Sequence, residues 1–278
     1  MEGVRRWLVN ISTWHPSEHQ FQSLLSLLPS QQRPEVTKFV KLGDRKRVLV
    51  SRLLQYCLIN DVLGIPFDVI CILRTTEGKP YLKNRENLLY ANFNFSVSHH
   101  GDYVGVACEP ICLVGFDIVS TTKLENGETL QFLENFVPYF TTFEWDNIVH
   151  AGSIDKVLTE FYRYWSLKES YVKAIGAGLG FGLNRLEFHH HNWADIYVCI
   201  DGTKLENWRF WFFDLENKHL ACVAKGHPKE ATGNYQVLLT TVGFDEKGYQ
   251  NAVELPERGF ISLTVDQLLM RWYQLNHV

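Results

Sequence analysis

The residues best suited to acid–base work are two carboxylates, Asp117 and Glu169. Asp117 lies in Gly115-Phe116-Asp117-Ile118-Val119. In an extended strand Val114, Phe116 and Ile118 share one face, so Asp117 points the other way, beside the small Gly115. An acid so placed is most often just solvent-facing on an edge strand. Glu169 lies in Trp165-Ser166-Leu167-Lys168-Glu169-Ser170-Tyr171-Val172-Lys173. On a helix, Leu158, Phe161, Trp165, Val172 and Ile175 form one apolar stripe. Glu169 sits on its border, with Lys173 one turn on. The plain alternative is a surface Glu–Lys pair. Lys168 falls inside the stripe, where a lysine must snorkel or meet an anion, which favours a working face on this helix.

Two cations flank a glycine in Arg74-Thr75-Thr76-Glu77-Gly78-Lys79-Pro80. Such a turn can hold phosphate, because glycine lets backbone N–H groups approach; a plain hairpin turn fits equally well. The pair Ser98-His99 invites a hydrolase reading, but no Gly-x-Ser-x-Gly elbow is present. The glycines at 176, 178, 180 and 182 follow a helix instead of joining a strand to one, so they are no dinucleotide fingerprint. His189-His190-His191 lacks spaced companion ligands and reads as an exposed loop. None of the six cysteines forms a Cys-x-x-Cys pair, so they read as reduced, packed thiols.

The elements that must position these groups follow from periodicity. Strands are expected at 5–12, 69–73, 103–108, 111–119, 186–189, 196–200, 208–213, 220–224 and 235–242. Between Asn92 and Ser98 the pattern alternates, with Phe93, Phe95 and Val97 opposite Asn94, Ser96 and Ser98, before a loop at His99–Asp102. Helices are expected at 17–28, 34–63 with a kink at Gly43, 129–135, from the cap Thr142 onward, 158–175 and 263–272. The order implies an α/β (α+β) chain with two lobes of similar size, 1–114 and 115–278.

The 278 residues carry a net charge of −4, which excludes a strongly basic nucleic-acid binder. No run approaches the roughly 18 apolar residues of a membrane span. No apolar signal core follows the N-terminal charges, so a cytosolic chain is expected.

Four motifs in order resemble the two-lobed 4′-phosphopantetheinyl transferases. They are Gly78-Lys79-Pro80, Phe95-Ser96-Val97-Ser98-His99, Val114-Gly115-Phe116-Asp117-Ile118 and Trp165-x-x-Lys168-Glu169-Ser170-x-x-Lys173. The resemblance runs from about Phe39 to Phe188. It implies that family's fold, two similar α/β lobes in a pseudo-twofold arrangement. It implies transfer of the phosphopantetheine arm of coenzyme A to a serine of an apo carrier protein, leaving adenosine 3′,5′-bisphosphate. Asp117 and Glu169 would bind Mg²⁺ with the donor pyrophosphate. Glu169 would also take the serine proton, and Lys173 would stabilise the leaving group. His99 would contact the 3′-phosphate, while Arg74, Thr75, Thr76, Glu77, Gly78, Lys79, Ser96, Val97 and Ser98 would hold the nucleotide. Partners would be carrier domains of fatty-acid synthases or reductases, served by a monomer. No nucleic acid or membrane is implied.

Two positions depart from that pattern. Val119 stands where many relatives have a second acid, so a water or His100 must complete the metal shell. Glu35 stands where relatives tend to have an arginine, with Arg33 nearby as a possible replacement. The rivals are a non-catalytic binder of coenzyme A or carrier proteins and a metal-dependent nuclease. The first would not need the base, and the second wants more acids and a more basic surface. Finally, Lys38, Lys41, Arg45, Lys46, Arg47 and Arg52 fall between Val36 and Arg52. On one continuous helix, Lys38, Arg45 and Arg52 would form a ridge able to steer an acidic carrier.

Overall fold

The computed structural model describes residues 2–86, 88–121, 129–239 and 243–275. Strand β1 (Arg5–Asn10) leads to helix α1 (Glu18–Ser26), which Ser17 and Gln20 close with a capping box. The single helix expected over 34–63 is two, α2 (Arg33–Thr37) and α3 (Leu42–Leu63). The chain leaves the helix after Thr37 and is extended at Lys41. Arg45 Nε donates to the Phe39 carbonyl in the break at 2.6 Å. The seven-residue spacing of Lys38, Arg45 and Arg52 therefore crosses an interruption and makes no continuous ridge. Its cations have separate tasks. Lys38 pairs with Glu35, Lys46 is buried on the Ile11 carbonyl, and Arg47 holds Asp44 and the Gly101 carbonyl.

β2 (Ile72–Arg74) and β3 (Pro80–Leu82) flank the glycine turn; β2 starts three residues later than expected. β4 (Asn94–His100), β5 (Tyr103–Glu109) and β6 (Leu113–Ser120) follow. His99 and His100, expected in a loop, end β4 as strand. Then come α4 (Thr129–Glu134), α5 (Thr142–Val149) and α6 (Ile154–Ile175). Thr141, not Thr142, caps α5. α6 begins four residues before Leu158 and ends where Gly176 turns left-handed at φ 75°.

Beyond it lie β7 (Leu186–His191), β8 (Ala194–Ile200), β9 (Thr203–Lys204), β10 (Arg209–Leu215) and β11 (His219–Gly226). The three histidines at 189–191 are thus strand, not loop, and His189 stacks between Phe143 and Tyr197. Where a strand was expected at 235–242 the chain forms a short helix, α7 (Gly233–Val237); residues 240–242 lie outside the described residues. α8 (Glu246–Glu254), β12 (Ile261–Leu263) and α9 (Val265–Leu275) complete the chain. Among the described residues no helix is long and apolar enough to cross a membrane.

Two main sheets result, ordered β12-β1-β5-β4 and β10-β11-β6, with β7-β8-β9 forming a third beside the second. α3 and α9 share a core with the first sheet, and α6 shares one with the second. The tail crosses the expected division at 115, since β12 pairs in parallel with β1 and Leu268 and Trp272 enter the first core. Buried charges fasten this return: Arg6 pairs with Glu109 and with Glu257 at 2.5 Å, and Lys225 pairs with Glu257 at 2.7 Å.

The two main sheets meet along β4 and β6 without a backbone ladder. Side chains replace it. Asn94 Oδ1 accepts from Val114 N, Ser96 Oγ from Phe116 N, and Ser98 Oγ from Ile118 N, at 3.0–3.1 Å. The polar face of β4 is therefore a buried seam, and its alternation serves polar satisfaction, not solvation. Gly115 permits the next layer to approach: a Cβ there would lie 1.6 Å from the Ser170 carbonyl oxygen of α6.

Candidate active site

β6, β4 and α6 converge on Asp117. The residue is 5% exposed, so it is not the solvent-facing edge acid that sequence alone favoured. Ser98 donates to Asp117 Oδ1 at 2.9 Å, and Lys173 Nζ lies 2.5 Å from the same oxygen. Lys173 also donates to Ser98 Oγ at 3.2 Å. Ser98 thus uses its one donor and both acceptor directions, counting the Ile118 N–H. It is fixed between strand and acid, as a positioning group and not a nucleophile.

Glu169 stands one turn before Lys173 and is half-buried. Burial raises its carboxyl above the ordinary range, Asp117 adds to the rise, and Lys173 opposes it. A carboxylate so destabilised is a better proton acceptor than an exposed one.

A cleft of about 230 Å³ opens beside these groups. Arg74, Glu77, Gly78 and Lys79 line it from the turn, Ser96 and Val97 from β4, and Glu169 and Lys173 from α6. Three segments far apart in sequence thus share one wall. Thr75, Thr76, Ser98, His99 and Asp117 do not line the cleft itself. Thr75 Oγ1 braces the turn by accepting from Lys79 N at 3.2 Å. His99 follows Ser98 on β4 with an exposed ring. Partial desolvation, then the charges of Lys173 and Arg47, push it down to about 4. It is neutral near pH 7 and set among cations, a place that attracts an anion.

Lys79 departs from the expected pattern. Its ammonium turns inward, donating to the Val114 carbonyl at 2.9 Å and the Lys173 carbonyl at 2.7 Å. Burial and then Lys173 lower it to about 7. It pins the turn to β6 and α6. Arg33 holds the Leu28 and Ser26 carbonyls at 2.9 Å, at the end of α1, so it does not replace the arginine missing at Glu35. Lys168 meets its anion in Glu144 at 2.7 Å, both fully buried, so its place in the stripe is structural and marks no working face.

The donors suit a hard divalent cation. Asp117 and Glu169 offer carboxylate oxygens beside a cleft that a pyrophosphate could enter, which fits an ion that keeps waters and takes substrate oxygens. Val119 is apolar and 3% exposed, and supplies no third ligand. His100 Nδ1 accepts from Ser120 N at 3.2 Å, leaving only its other nitrogen. Among the described residues no group of three His, Cys, Asp or Glu could hold a metal by itself.

Residues 12–111 match the family model described as 4′-phosphopantetheinyl transferase, N-terminal, and residues 113–224 that of the 4′-phosphopantetheinyl transferase superfamily. The L-aminoadipate-semialdehyde dehydrogenase-phosphopantetheinyl transferase of Mus musculus is 34% identical over 277 residues, 97% of this chain and 86% of its own. Its Homo sapiens counterpart is 35% identical, covering 82% of this chain and 76% of its own. A phosphopantetheinyl transferase of Thraustochytrium is 34% identical, covering 81% and 79%. A solved holo-[acyl-carrier-protein] synthase of Thermotoga maritima aligns with a TM-score of 0.31 at 15% identity, covering 42% of this chain and 64% of its own, too slight a likeness to bear on the fold.

Proposed function

The chain belongs to the 4′-phosphopantetheinyl transferase superfamily, which moves phosphopantetheine from coenzyme A to a carrier-protein serine, and we propose that Asp117, Glu169 and Lys173 carry this transfer with Mg²⁺. The convergence of the turn, β4 and α6 on one cleft is the observation that supports the assignment. Asp117 and Glu169 would hold the ion, which would supply charge neutralisation for the pyrophosphate. Glu169 accepts the proton of the incoming serine hydroxyl, directly or through water. Lys173, already poised over Asp117, shifts toward the pyrophosphate and offsets charge on the departing adenosine 3′,5′-bisphosphate. The serine oxygen forms its bond to the β-phosphorus as the bond to the leaving phosphate breaks in line. The work is mainly positioning and electrostatics.

The exposed ring of His99, neutral among cations, suits the donor's 3′-phosphate. Arg74 and the backbone of Gly78, Ser96 and Val97 hold the rest of the nucleotide. The acceptors we favour are acyl-carrier or reductase carrier domains, and the enzyme acts as a cytosolic monomer. Incubation with coenzyme A and an apo carrier protein should add one phosphopantetheine mass to the carrier. A chelator should stop the gain and added Mg²⁺ should restore it. Undiminished transfer after chelation would remove the metal from the assignment.

A further inference from the structure

We propose that residues 232–235, beyond the stretch matched by the superfamily, form a strap that sets the position of the donor-binding turn against α6. The proposal rests on the reading of the Arg74–Lys79 turn as a coenzyme A site. The turn and α6 lie about 80 residues apart in sequence and face each other across the cleft. Lys79 reaches across to the Val114 and Lys173 carbonyls. Among the described residues, the strap adds a second hold on that side, beside the close approach of Gly178 in the loop after α6.

Its first residue secures the strap to α6. Thr232 donates from its backbone N to the Ile175 carbonyl at 3.0 Å and from its hydroxyl to the same oxygen at 3.3 Å. These bonds satisfy a carbonyl that the helix end leaves open. Tyr235 is fully buried and fills the space beneath the helix terminus. A Cβ at Gly176 would lie 2.8 Å from its ring, so this glycine is needed for close approach as well as for its positive φ. The ammonium of Lys79 sits 5.2 Å from the centre of the same ring. Tyr235 therefore supports both the end of α6 and the lysine that pins the turn.

Asn234 then grips the turn itself. Its Nδ2 donates to Thr76 Oγ1 at 2.9 Å, and Thr76 in turn donates to Glu77 Oε1 at 2.9 Å. Gly178, in the loop after α6, closes the remaining gap: a Cβ there would lie 2.9 Å from the Glu77 carbonyl oxygen. The strap thus holds the far side of the turn while the near side lines the cleft. Loosening it lets Arg74 and Gly78 drift from the nucleotide without touching Asp117, Glu169 or Lys173.

Asn234 is exposed, so its replacement should leave the fold intact. Losing one neutral hydrogen bond at this grip should raise KM for coenzyme A roughly three- to tenfold. For Asn234→Ala, kcat at saturating coenzyme A, KM for the carrier and the melting temperature should stay near wild type. Asn234→Asp should be worse than Asn234→Ala, because it sets a second carboxylate against Glu77 and removes the donor. Tyr235→Phe should behave as wild type, since the Tyr235 hydroxyl has no hydrogen-bond partner among the described residues. Arg74→Ala serves as the control for the donor site. If Arg74→Ala raises KM for coenzyme A and Asn234→Ala does not, the strap is refuted while the donor site stands. If neither variant changes it, the turn does not hold coenzyme A, and the strap falls with that reading.

Discussion

Two lysines five residues apart on α6 make nearly the same contact and serve opposite ends. Lys168 lies 2.7 Å from Glu144 and Lys173 lies 2.5 Å from Asp117. The Lys168 pair is 0% exposed on both sides, and its three ammonium protons have three acceptors: Glu144 and the carbonyls of Leu183 and Leu186. Lys173 is 30% exposed, and its described acceptors are Asp117 and Ser98 alone. A sealed and saturated ion pair has nothing left to offer a ligand, so it can only fix the fold. A half-open pair with an unused donor can exchange its partner for a phosphate. Lys38 and Glu35 supply the open limit, at 2.6 Å with both side chains more than half exposed. Distance is almost constant across the three pairs, so burial and remaining valence decide the role.

The contrast is broken most directly at the cleft. Glu169→Gln should lower kcat by roughly 10²–10⁴-fold, the usual contribution of a positioned base, with an unchanged melting curve. Near-normal kcat in the folded variant would take the base away from Glu169. Lys173→Met should lower kcat by roughly 10²–10³-fold, as for the loss of one charge-stabilising donor, with only a small fall in melting temperature. A loss confined to stability would make Lys173 a second Lys168.

The opposite signature is expected at the sealed pair. Lys168→Met leaves Glu144 buried without its cation, which costs about 3–5 kcal/mol of folding stability. Denaturant unfolding should show that loss, while the kcat of the folded fraction stays near wild type. Unchanged stability with a collapsed kcat would reverse the assignment of the two ends of the helix.

A smaller effect tests the ring beyond Lys173. His99 is held near 4, below its ordinary 6.5, so the free protein leaves it neutral from about pH 5 upward. A bound phosphate dianion stabilises the protonated form, so binding should draw in a proton between about pH 5 and 7. Calorimetry in buffers of different ionisation enthalpy should detect this for coenzyme A and not for 3′-dephospho-coenzyme A. His99→Ala should abolish the uptake and weaken coenzyme A by roughly 1.5–3 kcal/mol. Equal uptake with both ligands would move His99 off the 3′-phosphate. The least effect belongs to the open pair: Lys38→Ala should leave both kcat and the melting temperature within error of wild type. A marked rise in KM for the carrier would restore a steering role to this surface despite the break between α2 and α3.

Local pattern made much of this legible. Period-2 alternation marked β4, the 3.6-residue stripe marked α6, and Gly176 marked its end, because those signals depend on neighbours in sequence. The four motifs fixed the family and singled out Asp117, Glu169 and Lys173. What failed depended on contacts between distant segments. The helix at 34–63 broke because its first turns pack as a separate piece, with Val36 fully buried, an arrangement that propensity does not encode. The strand expected at 235–242 begins as a helix because Tyr235 must fill the space under Gly176. Local pattern thus sufficed for the family, the main elements and the candidate reactive side chains. It took the assembled fold to seal Lys168 and leave Lys173 open, to turn Lys79 inward, and to make the serines of β4 stitch one sheet to another. Those outcomes turn on burial and on hydrogen-bond valence, which are set by whatever the fold brings alongside.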